Sequence, residues 1–200
     1  TLLISSIGVM KDITKAVTID FKFPGDLIYL IGITGDETGG SEYNAYIGDK
    51  EQGKKFTGGN IPKVDAGLFK KIYKAMEKAI DERLAASCIS LERGGFAVAL
   101  AKSAIAGMLG CEIKLSQINN NNIHRNDTLL YSESQGRFLV SINPANREKF
   151  EKVFSGLPVH MLGTVRQDPS FMIEGINGKK LINTDIPEID YNYKKKLKKY

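Results

Sequence analysis

The sequence predicts an α+β fold, a mixed β-sheet covered by helices on both faces. Continuous apolar runs such as Leu27–Ile31 are typical of buried strands. Two longer stretches, 65–84 and 96–109, have the composition and spacing of helices. Strands and helices follow one another without strict alternation, which argues against a doubly wound parallel sheet.

The amino-terminal third contains two predicted strands and one long loop. Leu2–Met10 and Leu27–Ile31 are the predicted strands, and Gly25-Asp26 makes the turn into the second. Residues 34–63 are polar and rich in glycine. A loop of this length inside a compact domain is usually functional or mobile, so we expect one or the other here.

Two helices are predicted in the middle of the chain. After Asp65, which can cap the first turn, apolar residues recur every three or four positions, among them Leu68, Ile72 and Met76. Phe96–Leu109 is rich in alanine and can therefore pack closely against a sheet or another helix. Gly94-Gly95 opens this second helix and Gly110 ends it.

The remaining predicted elements are short. Thr128–Tyr131 and Phe138–Ile142 are predicted to be the two strands of a β-hairpin, after a polar connection over 117–127. The other strands are Ala86–Leu91, Cys111–Leu115, Val159–Val165, Ser170–Glu174 and Lys179–Ile182, and the other helices are Ala145–Phe154 and a frayed one over Ile186–Tyr200. We expect one domain over residues 1–190 and a basic tail over 191–200.

Charge and cysteine content narrow the class of protein. The chain has 28 basic and 23 acidic residues, and five lysines lie in its last seven positions, so the rest is charge-balanced. Such a tail is usually solvated, and we expect no nucleic-acid partner. Cys88 and Cys111 lie in apolar stretches and are predicted to be free thiols. No apolar stretch is long enough to span a membrane. We expect a cytoplasmic segment of a longer polypeptide.

The predicted hairpin loop is the most informative stretch for function. Ser132, Glu133, Ser134, Gln135 and Arg137 place hydroxyls, a carboxylate, an amide and a guanidinium in one turn. These groups could bind a polar ligand, with the guanidinium as a forked contact for an anion. The alternative is that Glu133 and Arg137 pair with each other at the surface.

Two glycine-rich turns could contribute to the same site. Gly94 and Gly95 lie at a strand-to-helix junction, where free backbone N–H groups favour anions such as phosphate. Gly39, Gly40, Ser41 and Glu42 form a second polar turn. The alternative for each is an ordinary tight turn. Nothing in the sequence suggests an acid/base pair or a metal-ligand cluster, so we predict no catalytic residue and no metal ligand in this chain.

Five segments, taken together and in order, are similar to one enzyme family. These segments are Leu3–Met10, Gly25–Gly32, Gly39–Tyr43, Gly94–Ala101 and Ser132–Arg137. They resemble the C-terminal domain of phosphoribosylformylglycinamidine synthases, and within that family they are most similar to the second of its two tandem repeats. The resemblance covers nearly the whole chain and implies the fold of the aminoimidazole ribonucleotide synthetase C-terminal domain.

The resemblance also implies an activity for the longer protein. That activity is the ATP- and Mg-dependent conversion of formylglycinamide ribonucleotide to its amidine, with ammonia from a glutaminase subunit and with a small accessory subunit. Catalytic residues, Mg ligands and most ATP contacts would lie in preceding domains. This domain would form a cleft wall or a pseudo-site, and the isolated chain would be inactive. The implied nucleotide-contacting residues are Gly39, Gly40, Ser41, Glu42, Gly94, Gly95, Ser132, Glu133, Ser134, Gln135 and Arg137.

One segment departs from the family pattern and keeps alternatives open. The family usually has His-Asp-x-Ser-Asp/Glu before the glycine pair, where this chain has Ile89–Arg93. One alternative is therefore a degenerate, structural half-site. Such a half-site would either bind a nucleotide tightly or bind nothing. The others are ATP-using relatives: aminoimidazole ribonucleotide synthetase, selenophosphate synthetase and thiamine-monophosphate kinase.

Overall fold

The computed structural model describes residues 3–56, 58–118 and 123–195, and within them seven strands form one sheet. The strands are β1 (Leu27–Ile31), β2 (Ser87–Ser90), β3 (Gly110–Lys114), β4 (Phe138–Ile142), β5 (Val159–Arg166), β6 (Ser170–Glu174) and β7 (Lys180–Asp185). The α-helices are α1 (Glu42–Gln52), α2 (Ala66–Asp81), α3 (Gly95–Gly107), α4 (Asn126–Tyr131), α5 (Arg147–Val153) and α6 (Ile186–Lys194).

The sheet is mixed, as the sequence predicts. Its strand order is β2-β4-β1-β5-β3-β6-β7, and β1 pairs antiparallel with both β4 and β5. One pair, β3 with β6, is parallel, and the other pairs are antiparallel. The run Leu27–Ile31 therefore lies inside the sheet, which explains why it consists of aliphatic residues and one tyrosine.

Helices cover both faces of the sheet, so the α+β prediction is confirmed. Ile28 and Leu30 of β1 contribute to one core, which also contains buried residues of α3, α4 and α6. Tyr29 and Ile31 point the other way, into a second core with residues of α2 and α5. The alternation of side chains along one strand thus serves two apolar layers.

The two predicted central helices form, but α3 ends at Gly107 with Met108 as its left-handed C-cap, and the predicted stop Gly110 instead begins β3. On α2 the buried residues Ile72, Met76 and Ala79 lie on one face, and the Asp65 carboxylate accepts the Leu68 N–H at 2.9 Å as an N-terminal cap. The α3 helix is apolar around most of its circumference, and it packs between the sheet, α4 and α6. Its alanines permit this close approach.

The predicted strand Leu2–Met10 is wrong for the described residues 3–10, which are irregular. Leu3, Ile4, Ile7 and Val9 are each at least 80% exposed. A strand needs a partner for its backbone N–H and C=O groups, and no strand among the described residues pairs with this segment. Leu2 lies outside the described residues.

Two further predictions are corrected near the polar loops. Thr128–Tyr131 is not a strand but the end of α4, whose residues Thr128, Leu129 and Leu130 are all buried, so there is no β-hairpin here. Part of the predicted loop 34–63 is instead α1, which Ser41 caps by accepting the Asn44 N–H at 3.2 Å. A polar segment becomes helical because it is capped and docked.

The carboxyl-terminal helix begins at Ile186, as predicted, and Ile186 is fully buried. The described part of α6 ends at Lys194, and the predicted extension over 196–200 lies outside the described residues, as do residues 119–122 of the polar connection. Across the described ranges, no helix combines the length and apolar character needed to cross a bilayer.

Candidate functional site

The three polar segments converge at one carboxylate. Oε1 of Glu133 accepts the backbone N–H of Gly94 at 2.9 Å and that of Glu42 at 2.9 Å. Gly94 is the N-cap of α3 and Glu42 is the first residue of α1. The carboxylate therefore lies at two helix amino termini, where helix dipoles stabilise negative charge.

The Ser132–Ser134 segment is bonded to the chain that follows β1. Ser132 Oγ donates to the Gly35 carbonyl at 2.8 Å, and Ser134 Oγ accepts the Gly35 N–H at 2.9 Å. The Glu133 N–H donates to the Glu37 carbonyl at 3.2 Å. Both serine side chains are buried. Their hydroxyls are occupied in joining two loops.

Arg137 has a different role from the predicted anion contact. It is 1% exposed, and its guanidinium donates to the Ser134 carbonyl at 2.9 Å, the Thr34 hydroxyl at 3.0 Å and the Ser132 carbonyl at 2.5 Å. Burial lowers the pKa of Arg137 to about 10, against the opposing effect of Glu37 and Glu133, so the group stays charged at neutral pH.

These contacts correct both expectations for Arg137. A guanidinium enclosed by backbone and hydroxyl oxygens cannot present a fork to an external phosphate, and it does not form the surface pair with Glu133. Arg137 instead supports the Ser132–Ser134 backbone from within.

The glycine pair allows α3 to begin close to this backbone. Gly94 and Gly95 have φ of +83° and +64°, and a Cβ on Gly95 would lie 2.4 Å from the Ser132 carbonyl oxygen. The Gly95 N–H donates to the Glu92 carbonyl at 3.0 Å. Because the Gly94 N–H donates to Glu133, both amides of the predicted anion site already have partners within the chain.

The second glycine turn divides into buried and exposed positions. The Gly39 N–H donates to the Asn60 carbonyl at 2.7 Å, and Ser41 Oγ donates to the Thr38 carbonyl at 2.6 Å. Gly40 is exposed, and the Glu42 side chain pairs with Arg93 at 3.2 Å. Gly39 and Ser41 therefore hold the turn, whereas Gly40 and Glu42 face solvent.

A cavity of about 200 Å³ lies beside the same loop. Gln135 is exposed at its edge, and the Gln135 amide donates to the Glu133 carbonyl at 3.1 Å. The other lining residues mix apolar and charged side chains: Ile33, Gly35, Glu37, Lys63, Val64, Asp65, Leu68, Phe69 and Ser134. Gly136 permits this arrangement, since a Cβ there would lie 2.5 Å from the Phe69 ring.

A family profile decides which proteins this domain is related to. The profile described as AIR synthase related protein, C-terminal domain, matches residues 24–175. The chain belongs to this family. The matched range includes the three converging segments and most of the sheet, so the resemblance inferred from the sequence motifs is confirmed.

Relatives of this AIR synthase related domain share one name. The chain is 37% identical over 192 residues to the phosphoribosylformylglycinamidine synthase subunit PurL of Alkaliphilus metalliredigens, across 95% of this chain and 24% of that protein. It is 34% identical over 190 residues to the PurL subunit of Methanocaldococcus jannaschii, across 94% of this chain and 24% of the relative. The chain spans about a quarter of the length of these curated relatives.

Solved structures agree with this family's fold. Thermotoga maritima PurL complexed with FGAR superposes with a TM-score of 0.74 at 19% identity, across 88% of this chain and 30% of that one. The PurLQS structure from Thermotoga maritima gives 0.68 at 19% identity, across 87% of this chain and 27% of that one. At this identity the similarity establishes the fold.

The described residues of this AIR synthase related domain contain no preformed cluster of metal-ligating side chains. Across 3–56, 58–118 and 123–195, no three His, Cys, Asp or Glu side chains cluster so as to hold a metal. Two carboxylates of the converging loops already have partners: Glu133 accepts backbone N–H groups, and Glu42 pairs with Arg93. No metal-dependent step is therefore assigned to these residues.

Sequence reasoning missed several residues that build the domain's converging loops. Thr34, Gly35 and Glu37 supply the partners of Arg137, Ser132, Ser134 and Glu133. Tyr43 donates to the Asp127 carboxylate at 3.1 Å and stacks on Tyr131 with ring centroids 4.7 Å apart, which docks α1 on α4. The position of Thr34 and Gly35 shortly after the end of a buried strand was the one local signal for them.

Proposed function

We propose that this domain is the C-terminal part of a phosphoribosylformylglycinamidine synthase of purine biosynthesis. The longer protein would convert formylglycinamide ribonucleotide to its amidine in the cytoplasm. The observation that carries the proposal is the 37% identity to a PurL subunit across 95% of the chain. ATP, Mg, a glutaminase subunit and a small accessory subunit would be required by that longer protein.

In the proposed reaction, ATP transfers its terminal phosphoryl group to the amide oxygen, and ammonia then displaces phosphate from the same carbon. The described residues contain no cluster of metal ligands, and the sequence suggests no acid/base pair for these steps. We therefore assign the chemistry to other domains of the polypeptide and give this domain a supporting part.

Within that scheme, the domain forms one wall of a nucleotide cleft, as a pseudo-site. The exposed groups at the converging loops are Gly40, Glu42, Arg93 and Gln135. They would face the ligand or the neighbouring domain. The buried groups Ser132, Ser134 and Arg137 keep the wall rigid, because each is hydrogen-bonded inside the chain.

A second candidate is a purely structural domain whose pseudo-site binds nothing. It is favoured by one observation: the Gly94 N–H and the Arg137 guanidinium, two of the predicted anion donors, already have acceptors in the chain. The two proposals differ in whether the exposed groups contribute to nucleotide affinity.

The experiment compares the full-length polypeptide with the 200-residue chain. Amidine formation from formylglycinamide ribonucleotide is measured with ATP, Mg and ammonia. We expect turnover by the full-length protein and none by the chain alone. Turnover by the isolated chain would contradict the supporting role of this domain. Use of selenide or thiamine monophosphate by the full-length protein would contradict formylglycinamide ribonucleotide as its substrate. In the full-length protein, Gln135→Ala separates the two candidates. It should weaken ATP binding if the exposed groups contribute to nucleotide affinity, and it should leave ATP binding unchanged if the pseudo-site binds nothing.

A further inference from the structure

Residues 3–10 are an apolar segment without a partner in this structure. Leu3, Ile4, Ile7 and Val9 are each at least 80% exposed. Among the described residues, no backbone hydrogen bond involves this segment, so its N–H and C=O groups are available for pairing. Single exposed apolar side chains are ordinary on a protein surface, but a continuous run of them marks an interaction site.

The sequence of the segment is that of a strand covered on both faces. In an extended chain Leu3, Ile7 and Val9 point to one side, and Ile4 and Met10 point to the other. A strand with one face in water alternates apolar with polar residues, whereas apolar residues on both faces indicate a strand between two layers. The positions between them are small and uncharged: Ser5, Ser6 and Gly8.

The chain that follows the segment is fixed to the domain. The Arg83 guanidinium donates to the Thr14 carbonyl at 3.0 Å and to the Thr14 hydroxyl at 2.8 Å, just beyond the end of α2. The Cys88 N–H donates to the Thr18 carbonyl at 3.0 Å, which places this part of the chain along β2. The apolar segment therefore leaves the domain from a defined position.

The comparisons indicate which partner the segment has. The family profile begins at residue 24, so residues 3–10 lie outside the matched domain. A PurL subunit of Caldanaerobacter subterraneus matches 99% of this chain at 30% identity, a range that includes the segment, and the chain accounts for 26% of that relative. The segment is therefore shared with the longer relatives but is not part of the C-terminal domain. This favours a partner elsewhere in the same polypeptide over a second copy of the domain.

We propose that residues 3–10 form a strand in the β-sheet of a neighbouring domain of the longer polypeptide. The partner is a sheet edge with apolar layers on both sides, which binds the segment by backbone pairing and buries its side chains. The proposal rests on the proposed function only because a longer protein must supply that domain. With Thr14 anchored by Arg83, the pairing would fix the orientation of the cleft wall relative to its neighbour.

Hydrogen–deuterium exchange tests the proposal in the full-length polypeptide and in the 200-residue chain. In the full-length protein we expect amides within residues 4–10 to exchange at least about 100-fold more slowly than in the chain alone, because strand pairing protects them. In the chain alone they should exchange like an unstructured peptide at every protein concentration. Equally fast exchange in the full-length protein would overturn the proposal. Protection in the chain alone would also overturn it, and if that protection rose with concentration the partner would be a second copy.

Ile7→Asp places a charge in the middle of the proposed strand. The matched control is Ile61→Asp, since Ile61 is also an exposed isoleucine and lies in a different segment. In the full-length protein Ile7→Asp should return residues 3–10 to fast exchange, and Ile61→Asp should leave their protection unchanged. If full-length Ile7→Asp does not fold, Ile7→Ser is measured in its place with the same expectation. Retained protection in the folded variant would overturn the proposal.

The two proposals fail independently, because this test measures exchange and not turnover. A full-length protein that protects the segment but forms no amidine would contradict only the proposed function. A full-length protein that forms the amidine but leaves the segment unprotected would contradict only the proposed strand.

Discussion

The guanidinium of Arg137 donates to the hydroxyl of Thr34 at 3.0 Å, across a separation of 103 residues. This bond ties the segment before β4 to the segment after β1, two strands that are neighbours in the sheet. Arg137 is thus a structural cation at the centre of the converging loops, and its replacement should affect folding first.

Arg137→Lys should lower the free energy of unfolding by about 2 kcal/mol, because Lys keeps the charge but cannot reach three acceptors in a fixed plane. Urea denaturation measures the change. Arg93→Lys is the matched control. Because the Arg93 side chain is 84% exposed, this substitution should change the free energy of unfolding by no more than about 0.5 kcal/mol. Equal stability of the two variants would mean that the buried bonds contribute nothing.

Gly95→Ala should destabilise the chain more than Gly178→Ala. Both glycines have left-handed φ, +64° and +75°, and that conformation costs an alanine about 1 kcal/mol. Only Gly95 would also place its Cβ 2.4 Å from a backbone oxygen, that of Ser132, whereas Gly178 has open space. We expect a total loss of about 3 kcal/mol or more at Gly95 in thermal melts. Similar losses at both positions would contradict the close approach.

Both cysteines should resist alkylation in the folded chain. Burial raises the pKa of the Cys88 thiol to about 12 and raises that of Cys111 as well. At pH 8 iodoacetamide should label neither thiol in the native chain and both in urea, as counted by mass spectrometry. Rapid native labelling would show that this region opens.

The same shifts predict a dependence of stability on pH. A thiol whose pKa is raised by folding holds its proton in the native state after the unfolded chain has lost it. The contribution of this thiol to the free energy of unfolding is complete below about pH 9 and declines as the pH rises towards 12. The free energy of unfolding should therefore fall between about pH 9 and 12, and less so in a Cys88→Ala/Cys111→Ala variant. An equal decline in both chains would assign the effect to other groups.

Removal of residues 194–200 should change the free energy of unfolding by less than about 1 kcal/mol. Among the described residues of this stretch, Lys194 forms a surface ion pair with Asp190, a contact of small value. Ile186→Ala, in the buried start of α6, is the comparison and should cost about 2–4 kcal/mol. A loss above about 2 kcal/mol on truncation would mean that the tail docks on the fold.

Long periodic or apolar segments were predictable from sequence. Leu27–Ile31 forms β1 with the predicted bounds, and α2 follows Asp65 with its apolar residues on the buried face. Each of these segments carries a local signal that is repeated several times, so tertiary contacts had little to change. The turn at Gly94-Gly95, where α3 begins, was also predictable, because a strand-to-helix junction requires a turn.

Short or polar segments were not predictable. Thr128–Tyr131 is a run of four residues that fits a strand or a helix, and its packing against α3 decides for the helix. The α1 helix has no strong apolar face, and its capping by Ser41 and docking through Tyr43 decide its existence. For the segment 3–10, alternating apolar residues predict a strand, but a strand also needs a neighbour.

The sequence by itself determined the inventory of the candidate site: a carboxylate, hydroxyls, a guanidinium and two glycine turns. Only the tertiary structure decided their roles, because hydrogen-bond partners 39 to 103 positions apart in the chain cannot be read from local pattern. Folding brings Glu133 to the Gly94 and Glu42 amides and encloses Arg137 among carbonyl oxygens. Residues that look free to bind a ligand are bound instead to the chain, since buried polar groups require partners wherever the fold places them.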